Sequence, residues 1–240
     1  MQENLLIYWL PWVLTDPRGR QTAFMHSPLD SNLTPELKDA AIRSWMFWHA
    51  RMMQEATVLG ILAPTRAQIL QEHRIRHKDL WPFVANNPFI PPDRADIFLQ
   101  GLLAGFNGDF LTAAHLLLPQ VENSIRVLLE MRDVPTTKLP PGHDEPQDVF
   151  DLNRVFNEPA LYAAVVAIFG EDLVFELRGL LVERFGSNLR NRFAHGLMSA
   201  GEFYAPVVVY FWWLTLRIVC APTIIASQQQ DGSATPASQM

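Results

Sequence analysis

The most concentrated chemistry in this chain lies in seven consecutive residues, Arg190-Asn191-Arg192-Phe193-Ala194-His195-Gly196. An arginine keeps its charge and presents a planar fork to phosphate oxygens. A histidine exchanges a proton near neutral pH and suits general acid–base work. Together they match what RNA cleavage needs: one group takes the proton of the 2′-OH, and another holds the charge that builds on phosphorus. That chemistry asks for no metal and no cofactor. In a helix, Asn191 and His195 would share a face, four residues apart. Arg190 would lie about 140° around the axis from His195 and about 7.5 Å along it. A symmetric dimer facing this segment with its second copy could draw Arg190 and His195 from opposite chains. The plainer alternative makes Arg190 a surface ion-pair partner and His195 a helix-end residue. Neither side chain is expected in the core.

The flanks fit a short helix. Ser187 or Asn188 can cap its start after Gly186, and Gly196 sits where a left-handed C-terminal cap falls. Residues 91–126 form a second segment, PPDRADIFLQGLLAGFNGDFLTAAHLLLPQVENSIR. Its spacing predicts one helix opening near Asp93 and running to Phe106, then a turn at Asn107-Gly108. A second helix, capped by Asp109, should run to about Met131. Along it His115, Pro119, Glu122 and Arg126 form one polar stripe beside a core face of Leu118, Val121, Ile125, Leu128 and Leu129. Such a stripe normally faces solvent, and Glu122 with Arg126 is an ordinary helix pair. The functional alternative is that Glu122 or Arg126 orients the Arg190/His195 site or adds a phosphate contact. Pro119 should kink the helix.

The R-N-x-x-x-H-G string resembles the signature of the HEPN superfamily (higher eukaryote and prokaryote nucleotide-binding). Paired with the earlier GL-x-x-GF-x-GDF-x-x-A-x-HLL-x-PQ-x-E-x-x-x-R stretch, it is similar to a bacterial and eukaryotic family of unknown function. Gly101, Gly105, Phe106, Gly108, Asp109, His115, Leu116, Leu117, Pro119, Gln120, Glu122 and Arg126 fall on that pattern, and the likeness covers about residues 91–220. The resemblance implies an all-α helical bundle that dimerises and cleaves RNA without a metal. In it Arg190, Asn191 and His195 would be catalytic, and Arg126, Glu122 and Arg192 would bind substrate. The other member of this class is a catalytically silent HEPN-like binding or dimerisation module within a larger, defence-related protein.

A net charge of −6 argues against extended binding along a nucleic-acid backbone. Around the motif Arg178, Arg184, Arg190 and Arg192 are offset by Glu171, Asp172, Glu176 and Glu183, which favours a defined RNA over broad affinity. The single Cys220 rules out an internal disulfide framework and fits a reducing cytoplasm. The opening Met-Gln-Glu-Asn lacks the basic residues of a secretory signal. His73 and His77 have metal-ligand spacing, but no third ligand accompanies them, and residues 72–78 read as a solvated basic helix end.

Three regions are expected: an N-terminal helical region over 1–90, a HEPN-like helical domain over 91–225 and a disordered tail over 226–240. Thr34-Pro35-Glu36 starts a helix to about Leu59, with Trp45, Trp48, Met52 and Met53 facing the core. Pro64 or Thr65 starts another, to about Ile75. Leu5–Leu14 could be strand or helix, Asp16-Pro17-Arg18-Gly19 and Ser27-Pro28 are turns, and the Pro-rich stretches 81–92 and 134–148 read as loops. Short helices are expected at 149–156, 158–169 and 171–185. A strongly apolar last helix should start near Glu202 and end at Pro222. Its run before Arg217 is too short to span a bilayer comfortably, so it is expected to be a buried helix or, through Tyr210, Trp212 and Trp213, a dimer face. No membrane partner is expected.

Overall fold

A computed structural model describes residues 11–15, 19–137 and 149–233. Residues 5–10 of the Leu5–Leu14 run, most of the Asp16–Gly19 turn, residues 138–148 of the second loop and the end of the tail lie outside the described residues. The chain is mostly helical, as expected, with one small addition. An antiparallel hairpin pairs β1 (Trp12–Thr15) with β2 (Gln21–Met25).

Helix α1 (Pro35–Thr57) starts where its capping residues predict: Thr34 Oγ1 accepts the Leu37 N–H at 3.4 Å, and Pro35 occupies the first turn, where no N–H is needed. It does not stop near Leu59. A π turn, Val58–Leu62, carries the helix straight into α2 (Ala63–Glu72). The Ala63 N–H reaches back to Val58 O, and this wider turn makes room for Pro64, whose ring would clash with a carbonyl in regular α geometry. The core face of α1 is Ala41, Trp45, Phe47 and Gln54. Met52 and Met53 are exposed, contrary to expectation, because Gln54 takes the inward position at that turn.

Helix α2 ends at Glu72, His73 is extended, and α3 (His77–Val84) begins at His77. The two histidines therefore never share a helical face. Helix α3 runs through Trp81 and Pro82 into the stretch expected to be a loop. The segment after Val84 is tightly held: buried Asn87 donates through Nδ2 to Phe83 O and Val219 O, both at 2.7 Å, and its Oδ1 accepts the Phe89 N–H. Val58, Leu80, Val84, Phe89 and Ile90 belong to the same hydrophobic cluster as the later helices, so one core crosses the boundary expected at residue 90.

Helices α4 (Ala95–Phe106) and α5 (Phe110–Glu130) form an antiparallel hairpin. Gly108, with φ +81°, closes α4: its N–H bonds to Gly105 O and that of Asp109 to Ala104 O, a left-handed cap open to glycine without a Cβ penalty. Asp109 then accepts the Thr112 N–H at 3.0 Å to open α5, which continues unbroken past Pro119. Helices α6 (Leu152–Asn157), α7 (Pro159–Phe169) and α8 (Glu171–Leu181) come next, then the motif helix α9 (Leu189–Ala194) and a 3₁₀ turn at Ala200–Tyr204.

The last helix, α10 (Pro206–Ser233), passes through Pro222, so much of the expected disordered tail is helical; its residues 223–228 are exposed. Among the described residues, Pro206–Gln228 is the stretch long and apolar enough to cross a membrane. Yet Val207–Trp212, Leu214 and Val219 are buried in the chain's own core. A helix apolar on all sides belongs inside. Tyr210 and Trp212 are thus buried within one chain, while Trp213, the third residue named for a dimer face, is partly exposed. Trp212 donates to Leu102 O at 3.0 Å and lies flat against α4, where a Cβ on Gly105 would stand 2.1 Å from its Nε1.

Candidate functional site

The motif helix is anchored to the end of α8. Ser187 N–H bonds to Gly179 O at 2.9 Å, and Gly186 lies so near that carbonyl that a Cβ would stand 1.9 Å from it. Asn188 then adopts the left-handed conformation, φ +48° and ψ +35°, which asparagine tolerates better than other side chains. It stands at the N-cap position but its side chain makes no capping bond. At the other end His195 is the last residue before the reversal. Gly196, φ +63°, donates to Phe193 O, and Leu197 to Arg192 O, so the glycine closes the helix as its position predicts.

Within this short helix the side chains diverge. Leu189 is fully buried and pins the segment. Arg190 points inward to α5, where its Nε donates to Glu122 Oε2 at 2.9 Å and its Nη2 to Glu122 Oε1 at 3.1 Å. Arg126 Nη1 donates to the same Oε1 at 3.0 Å. Glu122 is only 9% exposed, so the polar stripe of α5 is not a solvated face at this point. His115, about two turns upstream, is exposed; its Nδ1 donates to Leu111 O at 2.8 Å and its ring rests on Phe193 and Phe203, both at 5.0 Å. The two sequence segments are therefore joined by an ion pair and by an aromatic contact.

The third arm of Arg190, Nη1, donates to Asn191 Oδ1 at 3.2 Å and lies 3.7 Å from Asp151 Oδ2. Two carboxylates and two guanidiniums thus cancel in charge around it. Burial, the largest influence on Arg190, would lower its pKa; the Glu122 hydrogen bond and the charges of Glu122 and Asp151 outweigh it and hold the guanidinium above its usual range. Asp151 shows the mirror case. Burial pushes its carboxyl up, but the Arg154 N–H, Asn153 and the charges of Arg190 and Arg126 together hold it below the usual aspartate range.

Asn191 extends this network into a carboxamide chain. Its Nδ2 donates to Asn153 Oδ1 at 2.9 Å and to Asn188 Oδ1 at 2.8 Å, while Asn153 Nδ2 returns a bond to Asn191 Oδ1 at 2.8 Å. The orientation of each amide follows from its charged neighbour. Arginine can only donate, so Asn191 Oδ1 must face Arg190. A carboxylate can only accept, so Asn153 turns its Nδ2 toward Asp151 Oδ2, 3.2 Å away.

Asn191, Arg192 and His195 line an open cleft of about 610 Å³ together with Ser44, Asn153, Asn157, Glu183, Arg184 and Asn188. Arg190, Glu122 and Arg126 stand outside it. Of the six residues expected at the site, three therefore reach the cleft, and three stand behind it, Glu122 buried and Arg190 and Arg126 partly so. Arg192 is paired with Glu202, which also caps the following turn through Ser199. His195 is exposed.

Sequence reading missed Asn153, Asp151 and the cleft position of Arg184. Asp151 had a local signal, since its Oδ1 caps α6 by accepting the Arg154 N–H at 2.9 Å. Asn153 had none, because its partner lies 38 residues away. Among the described residues no group of three or more His, Cys, Asp or Glu side chains could hold a metal ion. No family model, curated protein or solved structure matches this chain.

Proposed function

We propose that the chain is a metal-independent endoribonuclease of the HEPN type, acting on cytoplasmic RNA through the cleft beside α9. The observation that carries this reading is that His195 and Asn191 line one cleft, while Arg190 braces Asn191 from behind. The chemistry is transesterification. His195 takes the proton of a 2′-OH, the 2′ oxygen attacks the adjacent phosphorus, and the bond to the 5′ oxygen breaks. The leaving 5′ oxygen takes a proton from water, and a 2′,3′-cyclic phosphate remains. A second copy, implied by the resemblance, would meet the exposed end of the motif at Ala194–Leu197 rather than α10.

The full engagement of Arg190 by Glu122 and Asn191 favours a second reading, a catalytically silent HEPN-like module. Incubating the purified chain with mixed cellular RNA in the presence of EDTA separates the two. The enzyme cuts RNA but not matching DNA and leaves cyclic phosphate ends. Intact RNA upholds the silent module, and cleavage that His195→Ala retains removes His195 as the base.

A further inference from the structure

Arg190 is poorly placed to meet a phosphate. Its three nitrogens are all committed, its side chain is 17% exposed, and it does not line the cleft. The charge it brings is cancelled by Glu122 and Asp151. The cleft itself presents a different set of groups. Arg184 is exposed, lines the cleft and has no carboxylate partner among the described residues. Arg192 is neutralised by Glu202, and Glu183 by Arg178 at 2.6 Å.

The carboxamides of the cleft are also polarised. Asn188 Oδ1 is taken by Asn191, so its Nδ2 is the end left over. Asn157 Oδ1 accepts from Arg178 Nη2 at 3.2 Å, so its Nδ2 is left over as well. Neither nitrogen has a protein acceptor among the described residues. The acceptors of Asn191 and Asn153 are occupied within the network. Unused hydrogen-bonding capacity in this cleft is therefore chiefly donor capacity, beside one unpaired guanidinium and an exposed histidine. Such a set fits an anion with several oxygens.

We propose that Arg184, with Asn188 Nδ2 and Asn157 Nδ2, binds the substrate phosphate beside His195, and that Arg190 is a positioning residue acting through Asn191. The chain Glu122–Arg190–Asn191–Asn188 then has one direction: the buried carboxylate orients the guanidinium, the guanidinium orients one amide, and that amide orients the next with its N–H toward the cleft. Naming the anion as an RNA phosphate rests on the ribonuclease reading; the anion site itself does not.

Titration with uridine 3′-monophosphate at low salt, followed by calorimetry, tests the assignment. Arg184→Ala should weaken binding about ten- to a hundredfold, as loss of a charge-assisted bond does, with the melting temperature unchanged, and Arg184→Lys should recover part of it. Arg190→Ala should lower the melting temperature and, well below it, weaken binding less than Arg184→Ala does. Wild-type binding that Arg184→Ala leaves unchanged, or no binding at all, overturns the proposal. Should Arg190→Ala fail to fold, the Arg184→Ala and Arg184→Lys pair decides alone. Nucleotide binding lost in Arg184→Ala, in a protein that cuts no RNA, upholds the anion site while the ribonuclease reading falls.

Discussion

Arg190 holds Glu122 with two parallel hydrogen bonds, 2.9 and 3.1 Å, across 68 residues of sequence. This fork-to-fork contact ties the motif helix to α5 and, through the third nitrogen of Arg190, orients the Asn191 amide.

Breaking that contact leaves a buried charge without its partner, which typically costs about 3–5 kcal/mol. Glu122→Ala takes the shared carboxylate from both Arg190 and Arg126 and should destabilise the fold by about that amount, whereas Arg190→Ala leaves Glu122 still held by Arg126 at 3.0 Å and should cost less. Urea denaturation measures it. Arg190 lies outside the hydrophobic core, as expected, but it is tied to buried Glu122 rather than standing on the open surface. A loss below about 0.5 kcal/mol, the usual scale of a surface substitution, would show the pair to be superficial.

His195→Ala should behave in the opposite way. The side chain is exposed, so thermal stability should hold while RNA cleavage falls about 10²–10⁴-fold, the size of a lost general acid–base.

Mixing subunits tests where the site is assembled. Glu122, Arg190 and Asn191 meet within one chain, so His195→Ala mixed with Arg190→Ala should recover no activity. Recovery toward half of the wild-type rate would show instead that each cleft draws on both copies.

Acid should weaken the site through Asp151. Burial raises its carboxyl pKa, but the Arg154 N–H, Asn153 and the two arginines lower it further than burial lifts it. A depressed carboxylate contributes stability that is present above its unfolded value, about pH 4, and lost as pH falls below that. Asp151→Asn should flatten the fall in stability as pH drops below about 4. An unchanged slope would remove Asp151 from the network.

Gly105→Ala places a methyl group 2.1 Å from Trp212 Nε1. Overpacking of this kind costs about 1–3 kcal/mol, and it should shift Trp212 and break its bond to Leu102 O. Melting temperature and tryptophan emission report both effects; wild-type values for each would mean that α4 and α10 do not meet at this point.

Local chemistry made much of this protein legible from sequence alone. Thr34-Pro35, Asp109 and the two glycines Gly108 and Gly196 mark helix ends at the positions observed, because capping is settled by a few neighbouring residues. The apolar run after Pro206 announced a helix that is buried or covered, since it leaves no polar face for solvent, and the structure buries most of it in the chain's own core. Pro64 and Pro222 misled: a π turn carries the first helix past Pro64, and α10 continues through Pro222. The site shows the deeper division. Arginine, asparagine and histidine at the motif were visible as chemistry, but their roles depended on Glu122, Asp151 and Asn153, which come from α5 and the start of α6. A guanidinium is a phosphate ligand or a structural cation according to which acceptors stand within about 3 Å of it, and only the folding of distant segments onto one another decided that Arg190 would be held and Arg184 left open.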